Sequence, residues 1–271
     1  MHHLITTRFN VRVGLTANAR ALSPEWLEPR LRLFREITVP SVASQSIPPD
    51  GWLVFFDEDT PDEMRHQVRG LEVGFPLMRA EYCVEFNAQL VAERIRNVIP
   101  RDADWLLTTR LDNDDALNRL FVESVQRAAR RGVREFINPT YGLIVANGCL
   151  YRKRDFSSPF MTLSEPVAGF QTVWIDQHQR LSRHGPVRQF ALPDAWIQVV
   201  HGGNLANQVR GFRVSPSKVS PDTLPQALMA SISTLRLSQL LIDNSVGLLR
   251  RYAGSAWRRG RRMWTDRKLG K

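Results

Sequence analysis

Short apolar runs, each followed by a polar break and an amphipathic stretch, organise the first half of the chain. Leu4-Ile5-Thr6-Thr7-Arg8-Phe9 reads as a short buried strand that ends in polar residues. Leu27, Leu31, Phe34, Ile37 and Val42 then recur at helical spacing within 26–44. Ser23 is placed to cap this helix, Pro24 sits in its first turn, and Pro40 is placed to kink or end it. Trp52-Leu53-Val54-Phe55-Phe56 is a continuous apolar run with the length of a strand buried on both faces. It stops at Asp57-Glu58-Asp59-Thr60-Pro61, where Thr60 and Glu63 have the spacing of a capping box for the next helix. Residues 74–79 suggest a further strand. Residues 87–98 form a helical pattern with Leu90, Val91, Ile95 and Val98 on one side; 104–109 is again a strand and 116–130 again a helix.

This alternation predicts β-α-β units and hence an α/β fold, a Rossmann-type, mostly parallel sheet flanked by helices. After Glu135 the pattern changes. Residues 135–138, 143–146 and 149–152 read as short strands separated by Gly142 and Gly148, a less regular half. The Ser/Pro/Lys/Asp content of 215–225 marks a loop or hinge before a helical stretch, 226–252. The expected division is a main domain, 1–225, and a helical C-terminal extension with a basic tail, 226–271.

Composition refines this picture. With 271 residues, 43% hydrophobic and 9% aromatic, the chain can bury the core of one large domain, and global disorder is excluded. Cys83 and Cys149 have no paired spacing, which argues against a disulfide scaffold or a cysteine zinc site and favours a reducing, cytoplasmic compartment. Residues 1–9 lack a signal-peptide pattern, and no window reaches the ~18 apolar residues of a membrane-spanning helix. The net charge of +10 is a local feature: residues 250–271 hold nine basic residues against Asp266, +8 of the total. Trp257, Met263 and Trp264 lie among these arginines, a mixture suited to an anionic membrane surface, where the protein would be peripheral. A solvated terminus comes second and nucleic acid last, because no nucleic-acid motif accompanies the charge.

The chemistry concentrates at Asp112-Asn113-Asp114-Asp115, directly after the strand at 104–109. Open parallel sheets bind ligands beyond the carboxyl ends of their strands. Carboxylates there can hold Mn²⁺ or Mg²⁺ against a diphosphate, and the ion neutralises charge as the leaving group departs. The competing reading is that Asp114 or Asp115 only caps the helix expected from Ala116.

Thr108-Thr109-Arg110-Leu111-Asp112-Asn113-Asp114-Asp115-Ala116-Leu117 resembles the signature of a bacterial rhamnosyltransferase family within the GT-A glycosyltransferase superfamily. Thr7-Arg8-Phe9, the segment from Phe55 to Pro61, Ser158-Pro159-Phe160-Met161-Thr162-Leu163-Ser164-Glu165 and Trp196-Ile197-Gln198-Val199-Val200-His201-Gly202-Gly203-Asn204 fit the same family, and the resemblance spans about 4–210. It implies a nucleotide-binding half and an irregular acceptor half. It also implies a metal-dependent transfer from a dTDP- or UDP-linked nucleotide-sugar donor to a glycan or lipid-linked acceptor, with inversion. Carried over, Asp112 would contact the ribose or the metal and Asp114 would ligate the metal. Asp57 would reach the nucleobase, and Thr7, Arg8 and Arg110 would face the nucleotide or its diphosphate, where a guanidinium forks onto phosphate oxygens. His201 would complete the metal site; the alternative is a histidine capping a strand end.

Inverting transfer needs a base within hydrogen-bond reach of the acceptor hydroxyl. Glu165 and Asp176 are the candidates, with Glu165 preferred. Two rival readings remain at this stage. A sugar nucleotidyltransferase would use a similar metal site, but no Gly-rich basic loop follows the first strand to cradle a triphosphate. A non-catalytic glycan- or membrane-binding module would not need Asp112, Asp114 and His201.

Overall fold

The computed structural model describes residues 1–12, 19–201, 211–220 and 223–232. The basic tail, most of the helical stretch expected at 226–252, and Gly202-Gly203-Asn204 lie outside the described residues.

The first half builds four parallel strands: β1 (His2–Arg8), β2 (Gly51–Asp57), β3 (Met78–Cys83) and β4 (Trp105–Arg110). Seven strands complete the larger sheet in the order β10-β6-β9-β4-β1-β2-β3, with β6 (Glu135–Pro139), β9 (Thr162–Pro166) and β10 (Val187–Phe190). Among the described strands of this sheet, only β9 runs against its neighbours. A second sheet, β12-β8-β7-β11-β5, contains β5 (Ala116–Leu117), β7 (Tyr141–Ala146), β8 (Cys149–Arg154), β11 (Trp196–Val200) and β12 (Phe212–Val214). The chain is therefore α/β with a mostly parallel central sheet, as the alternating pattern implies.

Strand β2 shows why the apolar run works. Trp52, Val54 and Phe56 enter one core cluster and Leu53 and Phe55 the other, so strand alternation feeds both faces. The first cluster packs under α1 (Pro24–Leu33), α3 (Asp62–Gly74) and α5 (Phe121–Ala128), and the second under α4 (Ala88–Arg96). Asn87 caps α4, its side chain accepting from Leu90 N at 2.9 Å.

The helix expected at 26–44 is formed in three pieces. After α1 it widens into a π-turn, Phe34–Thr38, and continues as α2 (Val39–Ala43). Pro40 has no N–H for the preceding turn, which accounts for the widening. Three local expectations are corrected. Thr60 does not cap α3; its hydroxyl donates to Asp57 O at 2.6 Å and Pro61 takes the cap position. Strand β3 starts at Met78, because Gly74 still ends α3. Ala116–Leu117 is a strand paired with Trp196–Ile197, and the helix begins only at Phe121.

In the second sheet, Asn147 (φ 49°) and Gly148 (φ 68°) form the two-residue turn between β7 and β8, both in the left-handed region that such hairpins require. Gly142 faces Trp196 so closely that a Cβ would lie 2.1 Å from the indole. That indole stacks on Phe160 and donates to Pro139 O at 2.9 Å, fixing β11 beside β7. Leu228 of the short helix α6 (Gln226–Ser231) packs with Ile37, Ala116 and Ile197, so the start of the C-terminal extension lies on the main body. No helix among the described residues is long and apolar enough to cross a membrane. Both cysteines are free.

Candidate active site

In the larger sheet β1 and β4 are neighbours, with β2 and β3 on one side and the strands of the second half on the other. A crevice where strand order reverses is where such sheets bind ligands. Arg8 ends β1 and Arg110 ends β4, and the acidic loop follows at once.

That loop is held by backbone and side chain together. Leu111 N donates to Thr6 O at 3.1 Å and Asp115 N to Asp112 O at 3.3 Å. Asn113 Nδ2 donates to Phe9 O at 2.9 Å, while Thr38 in the π-turn donates to Asn113 O at 3.0 Å. Asp115 is buried and its Oδ1 accepts from Val199 N at 2.9 Å, tying the loop to β11. Burial, with Asp114 and Asp112 nearby, raises the Asp115 carboxyl well above the usual range. None of these aspartates caps α5, whose cap position is Leu120.

Asp112 faces two arginines. Arg110 Nη2 lies 3.3 Å and Arg8 Nε 3.9 Å from its Oδ1. Burial works to raise the Asp112 carboxyl, but Arg110 and then Arg8 outweigh it and hold the group below its ordinary value. Both guanidinium groups lie against the Trp174 ring, Arg110 at 4.5 Å and Arg8 at 5.6 Å from its centroid. The Trp174 indole donates to Thr6 Oγ1 at 2.8 Å. Arg110 Nε is buried and has no hydrogen-bond partner among the described residues.

Asp114 meets a different set. Its Oδ2 is 3.0 Å from His201 Nε2 and 3.0 Å from Arg30 Nη1. His201 directly follows β11, so the pairing of that strand with β5 and β7 brings it to the loop. The expected metal ligands thus separate: Asp114 and His201 meet, while Asp112 faces arginines. Among the described residues no three His, Cys, Asp or Glu side chains form a group able to hold a metal. Asp114 and His201 would offer one carboxylate and one imidazole to a cation shared with a diphosphate, and Mg²⁺ is usually bound by one or two carboxylates plus substrate phosphates.

The remaining expected residues are placed elsewhere. Thr7 is fully buried and its hydroxyl accepts from the Trp52 indole at 2.9 Å, because strand alternation turns it away from the side of Thr6 and Arg8. Asp57 is buried at the end of β2, with both oxygens held by Arg12 at 2.7 and 2.9 Å, so Arg12 is the group it presents outward. Glu165 pairs in register with Leu106, four residues before Arg110 on β4. That is roughly 13 Å of strand from the acidic end. Its Oε1 accepts from Thr172 N at 2.8 Å and Gln171 N at 3.1 Å, and Oε2 from Arg134 at 3.3 Å. Burial still raises its carboxyl. Glu165 therefore anchors the segment that carries Trp174 and is not brought to Asp112.

Asp176 lies on that segment, between Trp174 and His178. It accepts from Gln177 N at 2.7 Å, and His184 Nε2 lies 3.0 Å from its Oδ2, a contact that lowers its carboxyl. His178 is held neutral, lowered to about 4 by burial and then by Arg110. Sequence reasoning missed Trp174, Arg30 and His178. Only Trp174 left a signal, as a large aromatic in the short run Val173-Trp174-Ile175.

Arginines and carboxylates thus gather at the carboxyl ends of parallel strands, at the switch point where an α/β sheet of this kind offers a crevice. The chain belongs to the family described as "Putative rhamnosyl transferase", matched over residues 4–213. No curated protein matches it. Among solved structures it is similar to S. aureus TarS, with a TM-score of 0.44 and 10% identity over 74% of this chain and 37% of that one. TarS 1–349 in complex with UDP-GlcNAc gives 0.44 and 8%, covering 75% of this chain and 60% of that one. The inositol-1-phosphate CTP transferase of T. maritima gives 0.36 and 10%, covering 73% and 89%. The chain thus spans less than two thirds of either TarS chain.

Proposed function

We propose that this chain is a glycosyltransferase that moves a sugar, rhamnose by the family's description, from a dTDP- or UDP-linked donor to a hydroxyl of a glycan or lipid-linked acceptor. The observation that carries the donor assignment is the pair Arg8 and Arg110. They end adjacent strands, share the Trp174 face and flank Asp112 at the switch point. Two guanidinium groups with one partly shared carboxylate suit a diphosphate, and the buried Arg110 Nε is a donor that such a ligand can satisfy.

A divalent cation, Mn²⁺ or Mg²⁺, would be held by Asp114 and His201, and bound there it would neutralise charge on the departing diphosphate. Arg8 and Arg110 orient the diphosphate and take up the same charge through hydrogen bonds. Of the two candidate bases, Asp176 lies on the segment that reaches Arg110 and Asp112, and it stays ionised beside His184. It is the residue assigned to accept the acceptor's proton. The basic tail at 250–271 is assigned to the anionic inner face of a membrane, where a lipid-linked acceptor would reside.

Thermal unfolding with a panel of nucleoside diphosphates, with and without Mn²⁺, tests the donor assignment. One nucleotide is expected to raise the midpoint, and Mn²⁺ to enlarge the shift, because a ligand bound only to the native state stabilises it. A panel without any response would remove the donor site.

A further inference from the structure

Arg30 occupies the oxygen that a cation would need. Its Nη1 bonds Asp114 Oδ2 and Asn113 Oδ1, each at 3.0 Å, and His201 Nε2 meets the same Asp114 oxygen at 3.0 Å. The contact is sheltered, with the Arg30 side chain 13% and the Asp114 side chain 6% exposed. Arg30 is also held from behind, its guanidinium 4.9 Å from the centroid of the Trp26 ring. The same helical run grips the loop a second time through Thr38 and Asn113 O. This is a built contact, formed by α1 and its π-turn against the acidic loop.

We propose that Arg30 is the counter-ion of Asp114 in the empty enzyme, and that a divalent cation replaces it only when a diphosphate arrives with it. The inference rests on the glycosyltransferase reading and concerns how its cation is admitted. A buried carboxylate beside Asp112 and Asp115 needs positive partners, and Arg30, 3.0 Å from Asp114 Oδ2, supplies a permanent charge. A free cation must then break a sheltered ion pair and sit beside a guanidinium, where like charges repel. A cation carrying a diphosphate brings further oxygen ligands, and the phosphates offer Arg30 a new anionic partner. Cation and diphosphate therefore bind as a coupled pair, and by linkage each tightens the other equally. The arrangement keeps the site from filling with a cation before the donor is present.

The test is the Mn²⁺ affinity of the full chain, read from the loss of the free Mn²⁺ signal in electron paramagnetic resonance, with and without UDP or dTDP. The wild type is expected to bind Mn²⁺ at least about tenfold more tightly when the nucleotide is present, as coupling of this kind gives. Arg30→Gln is expected to bind Mn²⁺ about tenfold more tightly than the wild type without nucleotide, which narrows the dependence on the nucleotide. Arg30→Lys, which keeps the charge, is expected to stay weak. Equal wild-type Mn²⁺ affinity with and without nucleotide overturns the proposal, whether or not Arg30→Gln folds. So does a folded Arg30→Gln that binds free Mn²⁺ no better than the wild type. A chain that binds neither nucleotide removes the donor reading as well, whereas coupled Mn²⁺ and UDP binding with an unaltered Arg30→Gln removes the role of Arg30 alone.

Discussion

Replacing Asp114 by alanine is expected to abolish cation-dependent donor binding and to lower transfer by about a hundredfold or more, the scale seen when one electrostatic stabiliser of a transition state is removed. The same change strips Arg30 and His201 of a shared, 6% exposed carboxylate. Breaking a buried pair from one side costs about 3–5 kcal/mol, so Asp114→Ala is also expected to unfold at lower denaturant. Asp114→Asn separates the two effects. The amide keeps the shape and can still accept from Arg30, so much of the stability should remain while cation-dependent binding is lost. Calorimetric titration of Mn²⁺ with UDP or dTDP, beside urea unfolding of both variants, checks this. Wild-type cation dependence in Asp114→Asn would remove Asp114 as a ligand.

Trp174→Ala is expected to have the second-largest effect, on stability and donor affinity together. The ring is 8% exposed, packs edge-on against Phe86 at 4.8 Å and donates to Thr6. Truncating a buried tryptophan costs about 3–5 kcal/mol. It also removes the face on which Arg8 and Arg110 rest, so two like charges lose the surface that holds them side by side. Nucleoside diphosphate affinity is expected to fall by about tenfold, on the scale of a cation–π contact at a partly desolvated site. Trp174→Phe keeps a ring but loses the indole donor, and should recover most of the affinity with less of the stability. Equal diphosphate affinity in Trp174→Ala and the wild type, with both folded, would show that the arginines do not need the ring.

The residues that sequence reasoning placed well are those whose role is set within a few positions. Trp52 to Phe56 has the length and composition of a strand buried on both faces, and β4 ends at Arg110 and leads through Leu111 into the four polar residues Asp112 to Asp115 at the carboxyl end of a parallel strand. Residues fixed by distant pairing were less legible. Ala116 and Leu117 have helical propensity, yet Trp196 and Ile197 recruit them as a strand. The preference for Glu165 over Asp176 took no account of register: β9 runs antiparallel to β4, which sets Glu165 opposite Leu106. Thr7 shares a motif with Arg8, but alternation along β1 sends its hydroxyl to Trp52. Arg30 looks like any arginine on the polar side of an amphipathic helix, and only the approach of α1 to the acidic loop, 83 residues away at Asn113, gives it a role. Asp114 and His201, 87 residues apart, are joined by the second sheet, a contact that spacing alone does not encode.

The most direct test of the central claim is release of nucleoside diphosphate from dTDP- and UDP-linked sugars incubated with the full chain and Mn²⁺, without added acceptor. Slow hydrolysis of one nucleotide-sugar, lost in Asp114→Asn and weakened in Arg110→Ala, is the result this account predicts. A folded chain that binds nucleotide-sugars but hydrolyses none and transfers none to any hydroxyl acceptor would contradict it.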